Sequence, residues 1–435
     1  MNSTFWQEEL ETMPREDLEK LQVKKLKESI DRAIRSPFYS QLFAKYNLDS
    51  SKINSVQDIR KFPFTVKDDL RASYPFGLLT CPKEDIVRMH CTSGTTGNPA
   101  DVLYNRHDLD SWANLIARSM YAVGTRPSDI FQNMSGYGLF TGGLGFQYGA
   151  EKLGCMTIPA AAGNSIRQIK LMRDFGTTCA HAVPSYLGRL HAVFLENGLD
   201  PRKDTQLKRF FIGAEPHSEE TRRRIEELFG VKAYNSFGMT EMNGPGVAFE
   251  CEHQCGMHLW EDCYLMEIVD PETLEPVPDG EIGELVLTTL DRQAMPIIRY
   301  RTRDLTRILP GPCACGRTSR RLDRFKGRSD DMFIIKGCNI FPIQIEKILM
   351  HFPEIANDYL IVLTSNEEGD LMTVKAELKP DLFTDAFAEL EKLRKRITGE
   401  LRDEILVTPA VQLVPNGSLP KSEGKAVRVL DQRKN

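Results

Sequence analysis

The sequence predicts an α/β fold: a large N-terminal domain of parallel or mixed sheets with crossover helices plus a β region, and a small α+β C-terminal domain. Its 435 residues exceed what one hydrophobic core usually serves. Short apolar segments alternate with stretches of helical length as far as Glu250, a pattern typical of strands joined by crossover helices. Beyond Glu250 the pattern is β-rich, and from Met332 a new strand–helix–strand–strand–helix–strand order begins.

The first predicted elements are helical. Residues 17–35 are charged and have a helical period, and Thr65 is a candidate N-cap for a helix that follows it. A strand at residues 87–91 alternates apolar and polar side chains and leads into a loop. A helix at residues 107–123 then continues the αβ rhythm.

The loop after this strand is rich in small polar residues. Residues 91–97 contain five hydroxyl or thiol side chains and two glycines. Glycine lets backbone N–H groups approach an anion, and hydroxyls add neutral donors, so the loop is a candidate phosphate site; an ordinary polar turn is the alternative. It is not a Walker-type loop, because no lysine precedes a serine or threonine there. The candidate residues are Thr92, Ser93, Gly94, Thr95, Thr96 and Gly97.

A glycine-rich segment with two aromatic residues, at 135–145, is the candidate wall of a pocket for a flat ligand. A flexible surface loop whose aromatic residues merely pack is the alternative. The hypothesised pocket for this ligand comprises Tyr137, Phe140, Gly142, Gly143, Ala214 and Pro245.

Three further apolar segments, at 154–159, 179–185 and 210–216, are separated by helical stretches and predict parallel strands. Ligands of such sheets lie beyond the carboxyl ends of the strands. The loops at 213–216 and 237–241 both follow strands. We therefore expect them to face the same crevice as the phosphate loop.

The β region and the C-terminal unit complete the chain. Residues 264–269, 279–289 and 297–304 predict strands, and the charged, glycine-containing stretch 326–331 predicts a hinge. The elements predicted after the hinge are a helix at 342–350, strands at 358–363 and 371–378, a helix at 383–404 and a strand at 410–414. The polar residues 418–428 predict a surface loop.

Composition excludes several classes of protein. With 56 Lys and Arg against 61 Asp and Glu, the net charge of -5 provides no basic field for nucleic acid. No apolar run approaches the ~20 residues of a membrane span, and the first residues do not form a signal peptide. A cytoplasmic enzyme is the expectation, and in that compartment ten cysteines favour thiols or metal ligands over disulfides.

Two cysteine clusters predict a structural zinc site. Residues 251–258 hold four possible soft ligands, and residues 313–315 add two more. Two distant ligand pairs that meet in space are the usual form of such a site, although a reduced thiol cluster remains the alternative. The predicted ligands are Cys251, His258, Cys313 and Cys315, with Cys255 or His253 as substitutes.

Four motifs occur in the order used by the adenylate-forming enzymes, and a fifth, Glu-Gly-Lys, lies near the C-terminus. They are residues 92–99, 234–241, 300–304, 327–331 and 423–425. The chain therefore resembles the family of acyl-CoA ligases, firefly luciferase and nonribosomal adenylation domains. Segments 139–143, 299–306 and 339–342 resemble its phenylacetate–coenzyme A ligase branch.

The resemblance implies a two-step reaction in which a carboxylate and ATP form an acyl-AMP, and coenzyme A then displaces AMP. It implies Mg²⁺ held by Glu241, with Thr240 beside it, and Asp304 on the ribose hydroxyls. It implies that a mobile C-terminal domain brings Lys425 to the carboxylate and the α-phosphate in the first step. The remaining nucleotide positions are Gly213, Ala214, Glu215, Pro216, Asn235, Ser236, Phe237, Gly238, Met239 and Arg328.

The same resemblance implies domains at 1–327 and 328–435 with Asp330 at the hinge, and a homodimer. Asn98 stands where the family usually has a lysine. The expected substrates are an aryl carboxylic acid such as phenylacetate, ATP and coenzyme A. Two alternatives remain: an adenylating enzyme that passes the acyl group to a carrier protein or another acceptor, and a non-catalytic nucleotide-binding protein.

Overall fold

A nine-stranded mixed sheet forms the centre of the large N-terminal part. The computed structural model describes residues 4–92, 98–139, 141–336, 338–366, 369–382, 387–420 and 427–433. The strand order in this sheet is β13-β14-β9-β8-β7-β6-β5-β3-β4, and β7, β6, β5, β3 and β4 are mutually parallel. The α/β fold class is confirmed by this sheet and by the α+β C-terminal part.

The strands in the described ranges are β1 (Arg88–Cys91), β2 (Asp101–Tyr104), β3 (Ile130–Asn133), β4 (Met156–Ile158), β5 (Cys179–Ala182), β6 (Arg209–Gly213), β7 (Lys232–Met239), β8 (Gly244–Glu250), β9 (Met257–Leu259), β10 (Tyr264–Val269), β11 (Gly283–Thr289), β12 (Tyr300–Thr306), β13 (Ile308–Leu309), β14 (Arg321–Leu322), β15 (Gly327–Arg328), β16 (Phe333–Ile335), β17 (Cys338–Ile340), β18 (Ile355–Asn366), β19 (Gly369–Leu378), β20 (Ala410–Val414) and β21 (Val429–Asp431).

The α-helices in the same ranges are α1 (Glu8–Glu11), α2 (Arg15–Ala33), α3 (Pro37–Lys45), α4 (Lys67–Ala72), α5 (Arg106–Ala122), α6 (Thr141–Leu153), α7 (Ser165–Phe175), α8 (Pro184–Glu196), α9 (Pro201–Asp204), α10 (Glu219–Phe229), α11 (Pro342–His351) and α12 (Phe387–Ile405). Short 3-10 helices lie at Ser50–Lys52, Val56–Lys61, Lys83–Asp85, Thr240–Met242 and Pro380–Leu382. None of the described helices is long and apolar enough to cross a bilayer.

The inner parallel strands β5 and β6 are buried, because helices cover them. Every residue of β5 is buried, as are the last four of β6, which is the burial expected of strands covered on both faces. In this core the His181 ring stacks on Phe146 at 3.9 Å, and its Nδ1 donates to the Phe211 carbonyl at 2.9 Å. Burial lowers the pKa of His181 to about 4.

A second, antiparallel sheet of order β10-β11-β12-β15 carries part of the candidate site. Residue Thr65 joins its edge, because its N–H donates to the Arg299 carbonyl and its own carbonyl accepts from the Arg301 N–H, both at 3.0 Å. The Thr65 hydroxyl donates to the Ile298 carbonyl at 2.6 Å. The prediction of Thr65 as an N-cap is wrong: Val66 is the N-cap of α4, and the Thr65 hydroxyl is committed to the carbonyl of Ile298, two residues before β12.

The C-terminal part has a hydrophobic core of its own. Its sheet has the order β20-β19-β18-β21, and α11 and α12 pack against it around Leu349, Ile361, Val374 and Ile397. The strand predicted at 410–414 has those bounds, and the helix predicted at 342–350 runs one residue further. This separate core supports the predicted two-domain organisation, whose boundary at residue 328 stays a prediction.

Candidate active site and metal centre

The carboxyl ends of β6 and β7 lie side by side. They present residues 213–216, a part of the predicted nucleotide site that we call the nucleotide strip. Gly213 is the register partner of Ser236, and a side chain at 213 would collide with the Ser236 carbonyl. Ala214 follows with a φ of 69°, a left-handed conformation that re-aims the chain after the strand. Glu215 is then held by the Ser185 N–H at 2.6 Å and the Ser185 hydroxyl at 3.0 Å. Residues 213–216 are therefore held in place at the carboxyl end of β6.

The β7 segment beside this strip is equally constrained. The Asn235 N–H donates to Glu250 at 2.7 Å, and the Phe237 ring lies 4.4 Å from that of Phe325. A side chain at Gly238 would collide with the Gly244 carbonyl on β8. The structure thus brings the predicted positions 213–216 and 235–239 together at one sheet edge.

Glu241, the predicted magnesium ligand, lies in the short helix Thr240–Met242 that follows β7. Its carboxylate oxygen Oε1 accepts from the Tyr300 hydroxyl at 3.0 Å, and Lys67 Nζ is 3.8 Å from the same oxygen. The Glu241 backbone carbonyl accepts from Arg292 at 2.8 Å. Burial and the Glu241 charge hold the pKa of Tyr300 well above its ordinary value, so its hydroxyl stays a donor.

Asp304 and Arg328 face each other across the second sheet. They are register partners on β12 and β15, and Arg328 Nη1 lies 3.5 Å from Asp304 Oδ1. Arg328 also donates to both carboxylate oxygens of Asp330, at 2.8 and 2.9 Å. Asp330, the predicted hinge residue, therefore contacts Arg328, a predicted nucleotide residue that lies beside Asp304.

A cleft of about 1210 Å³ opens between the two parts of the chain at this point. Glu215 and Pro216 line it from the sheet edge, and Arg328 lines it from β15. The C-terminal part contributes Arg428 and Arg433. The lining of the cleft combines these three arginines with five carboxylates, so it is polar and carries charges of both signs. The arginines are the groups that can meet the phosphates of a nucleotide.

Beside the cleft, Glu346 on α11 bridges the two parts of the chain. Its Oε1 accepts from the Ser218 N–H at 3.0 Å and the Thr221 hydroxyl at 2.6 Å, while its Oε2 accepts from the Tyr359 hydroxyl at 3.1 Å. Glu346 is buried. A side chain at Gly188 on α8 would coincide with the Asn357 amide, so these residues also interlock.

Most residues of the pocket predicted for a flat ligand, which the resemblance implies is an aryl acid, lie within the described ranges. The Tyr137 hydroxyl donates to Gln147 at 2.5 Å and accepts from Asn133 at 3.0 Å, which fixes its ring. Gly143 packs so closely on the Gly136 carbonyl that a side chain there would collide with it. The Pro245 carbonyl accepts from the indole of Trp112 at 2.9 Å.

Family comparisons agree with this geometry. The sequence model described as "AMP-binding enzyme" matches residues 18–290, and the one described as "AMP-binding enzyme C-terminal domain" matches residues 337–433. The chain belongs to the AMP-binding enzyme family. The adenylate-forming recognition made from the ordered motifs is thereby confirmed.

Relatives of this AMP-binding enzyme match it over nearly its whole length. The phenylacetate-coenzyme A ligase of Thermus thermophilus is 42% identical over 445 residues, which cover 99% of this chain and all of the relative. That of Escherichia coli is 41% identical and covers 98% of this chain and 97% of the relative. These matches also confirm the resemblance to the phenylacetate–coenzyme A ligase branch.

Solved structures of 2-hydroxyisobutyryl-CoA ligase share the fold. In the postadenylation state with 2-HIB-AMP, that enzyme superposes with a TM-score of 0.93 at 30% identity, covering 99% of this chain and 93% of its own. In the thioesterification state, with 2-HIB-AMP and CoA, the TM-score is 0.74 at 32% identity, covering 100% and 93%. The two parts of the present chain are thus arranged more as in the postadenylation state.

The AMP-binding enzyme also contains the predicted cysteine and histidine cluster. The ligating atoms of Cys251, His258, Cys313 and Cys315 lie within 4.8 Å of one another. Cys251 Sγ is 3.6 Å from Cys313 Sγ, and Cys315 Sγ is 3.3 Å from His258 Nε2. Hydrogen bonding between Cys251 and Cys315 raises the pKa of Cys251 and lowers that of Cys315.

The residues around this cluster decide between the alternative ligands. His258 Nδ1 lies 3.2 Å from the Ser319 carbonyl, an acceptor that places the ring proton on Nδ1. The lone pair of Nε2 is then available to bind a metal ion. Cys255 Sγ is 3.5 Å from Cys313 Sγ but also 3.1 Å from Arg321 Nη1, and His253 is exposed. The geometry therefore favours the four predicted residues over either substitute.

Some predicted positions fall beyond the described ranges, namely Ser93, Gly94, Thr95, Thr96, Gly97, Phe140 and Lys425. Thr92 is described, and its N–H donates to the Ala100 carbonyl at 3.0 Å beside the hairpin of β1 and β2. Sequence patterns did not single out Lys67 or Glu346. Their contacts come from residues far away in the chain, so no local spacing marks them.

Proposed function

We propose that the protein is an AMP-forming acid–CoA ligase that joins phenylacetate, or a similar aryl acid, to coenzyme A. The observation that carries this proposal is the identity of 41–42% with phenylacetate-coenzyme A ligases over nearly the full length of both chains. The site supports it, since the predicted nucleotide residues Glu215, Pro216 and Arg328 line one cleft, and Asp304 is the register partner of Arg328.

In the first half-reaction, a carboxylate oxygen of the acid attacks the α-phosphorus of ATP, and the bond to the β-phosphate breaks with its electron pair going to pyrophosphate. Asp304 orients the ribose, because one carboxylate can accept from two hydroxyls. Glu241 is rigidly held and provides a carboxylate oxygen of the kind that Mg²⁺ prefers; the bound ion would offset phosphate charge. The charge of Lys425 positions the reacting carboxylate and offsets the negative charge that develops.

In the second half-reaction, the coenzyme A sulfur attacks the acyl carbon, and the acyl C–O bond breaks with its electron pair going to AMP. The C-terminal part must then have turned on the segment that contains Asp330. Its separate core allows it to turn as a rigid body.

The acid lies against Tyr137 and the small residues of α6. Since the Tyr137 ring is fixed by hydrogen bonds to Gln147 and Asn133, it forms a rigid wall for a flat aryl group. Gly142, Gly143 and Pro245 would complete the pocket.

A panel of aryl and short-chain acids with ATP and coenzyme A tests the proposal in the purified protein. We expect AMP and pyrophosphate to form with phenylacetate, and Lys425→Ala to abolish pyrophosphate release while ATP still binds. AMP release that requires a carrier protein instead of coenzyme A would support the alternative acceptor. ATP binding without acid-dependent pyrophosphate release would support a non-catalytic protein.

We further propose that Cys251, His258, Cys313 and Cys315 hold a structural zinc ion. Three sulfurs and one imidazole nitrogen complete a tetrahedral set, and a closed set of four leaves no position for substrate. The ion would join the β8–β9 connection to the segment before β14.

Metal analysis by mass spectrometry tests this site. We expect about one zinc per chain, as a four-ligand structural site holds one ion. Cys313→Ser should remove it and lower the melting temperature, whereas Cys338→Ser, which lies outside the cluster, should retain it. A Cys313→Ser protein with full zinc content would refute this ligand set.

The expected homodimer and cytoplasmic location rest on the family resemblance and on composition. Both stay predictions. Light scattering of the purified protein at two concentrations would measure the first, and fractionation of cells the second.

A further inference from the structure

Lys67 is a cation of the candidate site that the proposed mechanism leaves without a role. It is the first residue of α4, two residues after Thr65. The backbone of Thr65 is hydrogen-bonded to β12, the strand that carries Tyr300 and Asp304. The backbone of Lys67, two residues later, is therefore held close to that strand.

The ammonium of Lys67 extends to Glu241. Its Nζ lies 3.8 Å from Glu241 Oε1, which is an ion-pair distance and not a hydrogen bond. The Lys67 side chain is 43% exposed and that of Glu241 is 5% exposed. The N–H donors of Lys67 are therefore not committed to a hydrogen bond with Glu241, and the Lys67 side chain is accessible to a ligand.

The sequence of the predicted phosphate loop contains no cation. Residues 92–98 include four hydroxyl side chains but no lysine or arginine. Lys425 lies on the C-terminal part, which must turn away between half-reactions. A cation attached to β12 stays in place through both.

We propose that Lys67 binds the α-phosphate of the nucleotide in both half-reactions; this rests on the proposed ligase function. In the first, it offsets charge on the phosphorus that the acid attacks. In the second, it offsets the charge that AMP gains as the acyl C–O bond breaks and its electron pair moves to the phosphate oxygen. Pyrophosphate has by then left, and the side chain of Lys67 would supply positive charge from the protein itself.

The test measures the half-reactions separately in Lys67→Ala and Lys67→Arg, with Lys61→Ala as the control. Lys61 lies in the same segment but pairs with Asp58 at the surface. We expect Lys67→Ala to slow both acid-dependent pyrophosphate release and AMP release from supplied phenylacetyl-AMP and coenzyme A by about 10- to 100-fold, the loss of one charge-assisted hydrogen bond. Lys67→Arg should recover part of both rates, and Lys425→Ala should slow only the first.

A binding measurement separates this inference from the ligase assignment. Calorimetry should show AMP binding weakened about 10-fold by Lys67→Ala and adenosine binding unchanged, since only AMP carries the phosphate. Melting temperatures check that the variants are folded; if Lys67→Ala is not, Lys67→Arg and Lys67→Gln are compared. Equal AMP affinity, or a second half-reaction within twofold of the unsubstituted enzyme, would overturn the inference. A wild-type protein that activates no acid would instead overturn the proposed function, while the AMP and adenosine data would still decide the role of Lys67.

Discussion

Replacing Glu346 with glutamine should separate the two half-reactions. Glutamine keeps the shape of the side chain and can still accept from the Ser218 N–H and the Thr221 hydroxyl through Oε1. It removes the negative charge that these donors, and the nearby Arg428, now face in a buried position. The bridge between the two parts of the chain is therefore weakened without a cavity.

The magnitude follows from the type of bond that is lost. A hydrogen bond to a charged group contributes about 1.5–3 kcal/mol and a neutral one about 1 kcal/mol. Because both donors share the same oxygen, we use the lower half of this difference, about 0.5–1 kcal/mol per contact. The two contacts across the junction should then together lose about 1–2 kcal/mol of the free energy that favours the present arrangement. A change of this size shifts the equilibrium between arrangements about 5- to 30-fold.

Acid-dependent pyrophosphate exchange and AMP release from supplied adenylate measure the two steps. We expect Glu346→Gln to slow the first by about 5- to 30-fold and not to slow the second. Glu404→Gln is the matched control, because Glu404 pairs with Lys347 within the C-terminal part. Equal losses in both steps, or a first step as fast as in the control, would refute the reasoning.

Three other predictions concern single side chains. The pKa of His181 is about 4 when folded, below its ordinary 6.5, so the unfolded chain binds a proton that the folded chain does not, and stability falls as pH falls from 6.5 towards 4; His181→Gln should remove about 2 kcal/mol of the loss between pH 7 and 5 in urea unfolding, whereas His253→Gln, at an exposed site, should not. Tyr137→Ala should raise the KM for phenylacetate about 10-fold and admit bulkier aryl acids in the same panel, and an unchanged preference would argue against its place in the pocket. Asp304→Asn should raise the KM for ATP about 10- to 100-fold at an unchanged melting temperature, and equal ATP kinetics would exclude a ribose contact.

Features with local signals could be predicted from the sequence. Buried parallel strands such as β5 and β6 are continuous apolar segments, and β10 has the predicted bounds of 264–269. Cys251 and Cys313 could be paired because ligand chemistry restricts which residues can meet. The structure brings their sulfurs within 3.6 Å.

Features that depend on tertiary contacts could not be predicted. Threonine is a common N-cap residue, yet the Thr65 hydroxyl donates to the carbonyl of Ile298, 233 positions further along the chain. The helix starts one residue later than an N-cap at 65 would give. Lys67 and Glu346 are ordinary surface-type residues by sequence. Only the packing of separate elements shows that each ends at a carboxylate or donor group of another part of the chain.

The junction between the two parts of the chain is sensitive to substitution of Gly188. Glycine inside a helix is unfavourable by roughly 1 kcal/mol relative to alanine, yet here the missing methyl group is the space that Asn357 occupies. A methyl group at residue 188 would require the Asn357 amide to move away. The fit of α8 against β18 therefore depends on an atom that the chain lacks: the present arrangement of its two parts is favoured partly by an empty position on a helix.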